Sequence, residues 1–73
     1  MAKNIVATLP GIVSQLNINV GDRVEEDEEA LLVELMKTET PLFVPCDGTV
    51  KAIFVKQGDK VRENDILAVI YEE

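Results

Sequence analysis

Few residues of this 73-residue chain can act as nucleophiles, proton carriers or metal ligands. Histidine is absent, and Ser14 and Cys46 are the only serine and cysteine. This composition excludes Ser-His-Asp and Cys-His nucleophile arrangements, and it excludes a zinc site built from histidine and cysteine. We therefore expect no catalytic residues and no metal site, and a self-contained enzyme is not predicted.

Lys37 occupies the most unusual local sequence. Two-residue hairpin turns favour Asn-Gly or Asp-Gly because both central residues can need positive φ, whereas Met36-Lys37 would stand there in this chain. Such a turn would place Glu34 opposite Glu39, and like charges in a cross-strand pair are destabilising. These local conflicts indicate a functional site. Because nearby carboxylates favour the charged ammonium, we predict that Lys37 is modified by another enzyme and is not a self-activated base.

The charge of the chain limits its partners. Fourteen acidic and seven basic residues give a net charge of −7, so neither nucleic-acid binding nor docking on anionic lipid is expected. No apolar stretch is long enough for membrane insertion. The N-terminal residues do not resemble a signal peptide and the single cysteine cannot form an internal disulfide, so a cytoplasmic location is expected.

An internal repeat organises the chain. Its four glycines form two equally spaced pairs, offset by 37 residues. The matched glycines are Gly11 with Gly48 and Gly21 with Gly58. The same offset aligns Gly-Asp-Arg-Val at 21–24 with Gly-Asp-Lys-Val at 58–61. Two repeats are too few for a solenoid. The sequence therefore predicts one domain over residues 1–73, with pseudo-two-fold symmetry between residues 11–34 and 48–71.

Short apolar segments between turn residues predict an all-β sandwich or flattened barrel. The predicted strands cover residues 3–7, 12–20, 30–36, 40–44, 50–56 and 66–71. Pro10, Pro41 and Pro45 are expected at strand ends or edges because proline cannot donate to a ladder. The repeat maps Met36–Thr38 onto the gap between the chain termini. We therefore expect Lys37 on a hairpin tip at the end of the domain opposite both termini, which is the layout of a carrier.

Other chemistry-bearing or aromatic residues receive structural interpretations. The acidic run Glu25–Glu29 lacks the alternating ligands and glycine of a calcium loop, so a solvated loop is expected. Cys46 is expected to fill space, since no base adjoins it to lower its pKa. Phe43, Phe54 and Tyr71 are expected to pack in the core or at its edge.

Two segments carry a resemblance to a known family. Glu-Leu-Met-Lys-Thr at 34–38 and Val-Pro-Cys-Asp-Gly-Thr-Val at 44–50 resemble the Glu-Ala-Met-Lys-Met and Pro-x-x-Gly-x-Val motifs of the biotinyl domains of biotin-dependent carboxylases and decarboxylases. The likeness covers residues 4–71. It implies a barrel-sandwich hybrid, which is a flattened barrel of two four-stranded antiparallel sheets, with the biotinyl lysine on a hairpin tip. The segment 12–24 has no insertion, so the type without a protruding thumb is implied.

The resemblance implies roles for individual residues. Lys37 matches the biotinylated lysine and Met36 the methionine before it, while Leu35 and Thr38 stand where the family usually has alanine and often has methionine. Glu34 matches a family acid near the ligase contact. Both Glu34 and Glu39 are therefore expected to take part in recognition by the ligase. The turn and framework positions are Gly11, Gly21, Gly48, Gly58 and Pro45.

The implied function is that of a carrier. A biotin protein ligase would attach biotin covalently to Lys37, and the arm would move CO₂ between biotin carboxylase and carboxyltransferase subunits. A lipoyl carrier of an acyl-transfer complex is the nearest alternative, because the lipoyl family shares this fold. Its lysine usually follows an aspartate, so Met36 favours biotin. An unmodified module that only binds partners is the third alternative, and it would not require Met-Lys at the tip.

Overall fold

The computed structural model describes all 73 residues, which form eight β-strands. The strands are β1 Ala2–Val6, β2 Gly11–Leu16, β3 Arg23–Val24, β4 Glu29–Leu35, β5 Thr38–Phe43, β6 Gly48–Ile53, β7 Lys60–Val61 and β8 Ile66–Glu72. They build two four-stranded antiparallel sheets, with strand orders β1-β8-β6-β3 and β5-β4-β2-β7. The predicted all-β architecture of two four-stranded sheets is confirmed. The chain contains no helix that could cross a membrane.

Four predicted strands agree with the observed bounds to within two residues at each end, and the other two extend too far toward the C-terminus. The strand predicted at 12–20 ends at Leu16, because the chain then turns and the Asp22 carboxylate accepts a hydrogen bond from the Asn19 N–H at 2.9 Å. The strand predicted at 50–56 ends at Ile53. The two-residue strands β3 and β7 are not among the strands predicted from the sequence. Each adds an edge to a sheet: β3 pairs with β6 and β7 pairs with β2.

Hydrogen bonds of one half recur in the other with the 37-residue offset. The Gly21 N–H donates to the Val50 carbonyl, and the Gly58 N–H donates to the Val13 carbonyl, both at 2.8 Å. The turn backbone recurs as well. Its positive φ values are 94° at Gly21 and 97° at Gly58, with 71° at Asp27 and 76° at Asn64. The internal symmetry predicted from the glycine spacing is therefore a property of the fold.

One apolar core of 16 buried residues lies between the two sheets. Its packing alternates across the symmetry: Ala30-Leu31 of β4 corresponds to Leu67-Ala68 of β8, and all four residues are at most 1% exposed. At each of these two repeat positions one half has leucine and the other has alanine. The large side chain of one half therefore packs where the other half has a small one, which fills the close-packed interior.

Side chains assigned to the core from sequence divide into two groups. Cys46 is 3% exposed, and burial raises the pKa of its thiol, so its interpretation as a space-filling residue is confirmed. The core interpretation of the aromatic residues is wrong: Phe43, Phe54 and Tyr71 are 51%, 61% and 53% exposed. Strand alternation explains this for Phe43 and Tyr71, since successive side chains point to opposite faces and their strand neighbours Leu42 and Ile70 are buried, whereas Phe54 lies just beyond the end of β6.

Candidate functional site

A two-residue turn joins β4 to β5 and carries Lys37 at its tip. Leu35 pairs with Thr38 as the last rung of the ladder, and Met36 and Lys37 between them have φ values of 52° and 69°. Positive φ at both central residues is the type I′ pattern, which normally selects Asn and Gly. The predicted turn is confirmed in its register. Met36 and Lys37 are held in a backbone region that costs of order 1–3 kcal/mol per residue for such side chains.

The tip projects away from the rest of the chain. Met36 is 88% exposed and Leu35 40% exposed, and Lys37 and Thr38 are also exposed. The two ion pairs of the chain lie elsewhere, joining Lys3 to Glu72 at 3.6 Å and Arg23 to Glu73 at 2.7 Å. The Lys37 ammonium therefore has no ion-pair partner and is open to an approaching enzyme.

The chain termini lie at the base of the same hairpin. At that base the Val44 N–H donates to the Glu28 carbonyl at 2.8 Å. Asp47 follows Val44 by three residues, and its carbonyl accepts a hydrogen bond from the Glu73 N–H at 3.3 Å. The two termini also meet each other there, since the Glu72 N–H donates to the Met1 carbonyl at 2.6 Å. The molecule is elongated, 36 Å against 17 and 16 Å. Lys37 thus lies at the end of the hairpin opposite both termini, as the repeat predicted.

A row of paired residues crosses the outer face of the sheet just behind the tip. Glu34 of β4 pairs with Glu39 of β5 on one side and with Ile12 of β2 on the other. Ile12 pairs in turn with Lys60 of β7. The predicted opposition of two carboxylates is confirmed, and both side chains are exposed. From β5 to β7 the row therefore consists of two acidic residues, one apolar residue and one basic residue.

Ser14 is part of this site and was not singled out from the sequence. The register of β2 against β4 shifts between Val13 and Gln15, so Ser14 is an unpaired bulge residue. Its hydroxyl donates to Glu39 Oε2 at 2.7 Å. This bond directs the Glu39 carboxylate toward β2, across the outer face. No sequence signal marks a bulge here, since Ser14 interrupts an otherwise ordinary strand pattern.

The framework residues named from the sequence lie at both ends of the molecule, with Gly11 near the tip and Gly48 and Pro45 at the base. A Cβ atom on Gly11 would meet the Glu34 carbonyl, and one on Gly48 would meet the Tyr71 carbonyl, so neither position has space for a side chain. Pro45 lies between β5 and β6, outside both ladders. Pro41 lies within β5, which is an edge strand, and Pro10 precedes β2. These proline positions agree with the prediction.

The acidic run Glu25–Glu29 is exposed and forms a turn. Its own side chains satisfy the backbone: Glu28 Oε1 accepts from the Glu25 N–H at 2.9 Å. Asp47 Oδ1 accepts from the Glu26 N–H at 2.8 Å. No group of three or more potential ligands is arranged to hold a metal ion. The run therefore acts as a hydrogen-bonded turn at the base of the molecule.

Comparison with known proteins gives a consistent set of relatives. The family model described as "Biotin-requiring enzyme" matches residues 2–70. The biotin carboxyl carrier protein of Streptococcus mutans is 36% identical over 94% of this chain and 53% of that protein. The dihydrolipoyllysine-residue acetyltransferase component of the pyruvate dehydrogenase complex of Acholeplasma laidlawii is 37% identical over 82% of this chain and 11% of that protein.

Solved structures agree with these sequence relatives. The crystal structure of Kluyveromyces lactis urea carboxylase superposes with a TM-score of 0.89 at 32% identity, covering 97% of this chain and 6% of that one. The chain spans about half the length, or far less, of the first curated relatives it matches.

Proposed function

The chain belongs to the biotin and lipoyl attachment family, and from that premise we propose that it is a biotin carboxyl carrier whose Lys37 is the biotinylated residue. Family membership confirms the resemblance noted in the sequence. The observation that carries the assignment of the site is the tip itself. Lys37 is exposed on a conformationally costly turn, opposite both termini and without an ion-pair partner.

Attachment requires chemistry that the chain does not supply. A biotin protein ligase would convert biotin and ATP to biotinyl-adenylate with release of pyrophosphate, and the neutral Lys37 amine would attack the acyl carbon of that adenylate. The new amide bond forms as the bond to AMP breaks, and the proton lost by the amine passes to the ligase or to solvent. The chain contributes the geometry. Its hairpin presents the amine to the ligase, and the exposed Met36 beside it offers an apolar contact.

Once attached, biotin supplies a ring nitrogen that carries CO₂. The chain then acts as a tether, raising the effective concentration of the arm at each reaction site without tight binding at either. The partners that fit this role are biotin carboxylase and carboxyltransferase components, as the carboxylase relatives indicate. A cytoplasmic location is consistent with this role and stays a prediction.

The lipoyl alternative rests on the acetyltransferase relative, which matches this chain as well as the carboxylases do in percentage identity. Met36 before the lysine, and relatives that include a biotin carboxyl carrier protein and several carboxylases, favour biotin. The two alternatives differ in the group attached and share Lys37 as the attachment residue.

Intact mass spectrometry tests the proposal. After incubation with biotin, ATP and a biotin protein ligase, the chain should gain one biotinyl group, and Lys37→Ala should gain none. Lys51→Ala is the matched control: it removes another exposed lysine that lies on a strand and should be modified like the parent chain. Modification of Lys37→Ala would place the site elsewhere, and an unmodified parent chain would overturn the proposed function.

A further inference from the structure

An open cavity of about 480 Å³ lies at the β7 edge of the sheet that carries the hairpin. Its lining includes Lys60, Arg62 and Asp65 from the β7 region and the apolar residues Pro10 and Ile12 from β2 and the turn before it. We call it the β7 pocket. Lys60 and Arg62 point to the same face, because the residue between them, Val61, is buried.

The cations of the β7 pocket are uncommitted. Lys3 and Arg23 are ion-paired, and the Lys51 Nζ lies over the Tyr71 ring at 5.8 Å from its centroid. Lys60 and Arg62 form no ion pair. The one acid in the lining, Asp65, accepts a hydrogen bond at Oδ2 from the Arg62 backbone N–H at 2.8 Å, which fixes the position of its carboxylate and leaves its charge in place. The lining therefore holds two positive groups and one negative group, a positive excess on a chain whose net charge is −7.

The pocket belongs to the tip end of the molecule. Ile12, which lines it, is the cross-strand partner of both Glu34 and Lys60. Adjacent strands lie about 5 Å apart, so the pocket begins on the strand next to Glu34, and Lys60 lies two strands, about 10 Å, from Glu34. The repeat counterpart of this edge carries Arg23 and Glu25. There the arginine is ion-paired to Glu73 and the glutamate opens the acidic run, so no free basic pair occurs at the base.

The face behind Lys37 thus has two signs of charge separated by an apolar centre. Glu34 and Glu39 form the acidic side, Ile12 the centre at 43% exposure, and the β7 pocket the basic side. A partner with complementary charges fits this face in a single orientation when its reactive centre lies over Lys37. In that orientation its basic groups face Glu34 and Glu39, and its acidic groups face the β7 pocket. Such complementarity sets orientation and association rate more than raw affinity.

We infer that the β7 pocket receives a carboxylate side chain of the biotin protein ligase when that enzyme docks on the tip. This inference rests on the proposed function, and it adds a contact that the residues around Lys37 do not indicate. Lys60 and Arg62 are docking residues in it. They touch neither the amine nor the adenylate, so they act on the encounter and leave the chemical step unchanged.

Steady-state biotinylation kinetics test the inference. In Lys60→Glu/Arg62→Glu, the KM for the chain should rise about tenfold at unchanged kcat, because a docking contact becomes a repulsion. The matched control is Lys51→Glu/Lys56→Glu, which makes the same change in net charge outside the pocket and should stay within about twofold of the parent chain. An unchanged KM in the pocket variant, or an equal rise in both variants, would overturn the inference.

A binding measurement separates this inference from the proposed function. The Lys37→Ala chain, which cannot be modified at the tip, is titrated with the ligase and its amide resonances are followed by NMR. Residues 60–62 should shift together with the tip strands, and the turn at 25–28 at the base should not. If the parent chain is never biotinylated, the proposed function fails. The titration then shows independently whether the ligase contacts the β7 pocket. Absent shifts at 60–62 would reject that contact.

Discussion

The hairpin of β4 and β5 and its repeat counterpart, β8 with β1, share one backbone plan and differ at the point where each pair of strands is closed. In the hairpin, Met36-Lys37 joins the strands through two positive φ values. In the counterpart, the same place is the gap between Glu73 and Met1, where β8 and β1 pair without a connection. Lys37 is thus carried by the one connection that the second half does not have.

The two regions also differ in the outer row behind that point. The counterpart of the row at the tip consists of Ala2, Tyr71, Thr49 and Arg23. It contains no acidic pair, whereas Glu34 and Glu39 stand opposite each other beside the tip. The framework turns place positive φ on glycine, Asp27 and Asn64, which tolerate it. Unfavourable residue choices are therefore concentrated at the tip, on both sides of Lys37.

The largest expected effect concerns the packing that the two regions share. Leu31→Ala and Leu67→Ala each remove a fully buried side chain, and each should lower the free energy of unfolding by about 2–5 kcal/mol. Leu35→Ala, at 40% exposure, is the matched control and should cost much less. Urea titrations measure all three. If the losses in free energy of unfolding for Leu31→Ala and Leu67→Ala differ by more than about 2 kcal/mol, the two halves do not contribute equally to the stability of the core.

The next effect concerns the close approach of paired strands. Gly11→Ala and Gly48→Ala should each cost about 1–3 kcal/mol, because the added Cβ meets a backbone carbonyl that cannot move aside without shifting a strand. Thermal unfolding followed by circular dichroism measures the losses. Both positions face a backbone carbonyl, so both substitutions should be destabilising. A neutral result at one position and a loss at the other would contradict the equivalence of the two halves.

A smaller and opposite effect is expected at the tip. Met36→Asn/Lys37→Gly supplies the residues that a type I′ turn favours, so the free energy of unfolding should rise by about 1–2 kcal/mol. Asn64→Gly, at a position whose residue already tolerates positive φ, should change it by less than about 0.5 kcal/mol. Denaturant midpoints decide between these outcomes. No gain at the tip would mean that Met36 and Lys37 are not under strain.

The smallest effect concerns the bond that positions Glu39. A double-mutant cycle of Ser14→Ala and Glu39→Ala should give a coupling below about 1 kcal/mol, as expected for an exposed hydrogen bond. Ser14→Thr keeps the hydroxyl and should retain most of that coupling. Chemical denaturation of the four chains measures it. Strictly additive losses would indicate that the Ser14 hydroxyl does not hold Glu39 in solution.

Much of this arrangement could be predicted from the sequence, because it rests on periodic signals. The glycine spacing gave the two-fold relation, and the poor turn chemistry of Met36-Lys37 marked the tip. The bulge at Ser14 and the strands β3 and β7 could not be predicted, since a two-residue strand has no period and a bulge depends on the partner strand. The exposure of Phe43, Phe54 and Tyr71 was not predicted, because their size suggested burial, whereas Phe43 and Tyr71 occupy outward positions of strands and Phe54 lies beyond the end of one.

We propose that this fold and its tip present Lys37 for biotin. The most direct test offers the unmodified chain both biotin and lipoate, with ATP, a biotin protein ligase and a lipoate ligase, and reads the added mass at Lys37 by peptide mapping. We expect a single biotinyl group on Lys37 and no lipoyl group. A lipoyl group on Lys37 would exclude the biotin carrier and make the chain an acyl-transfer carrier, and an unmodified Lys37 would leave it a partner-binding module.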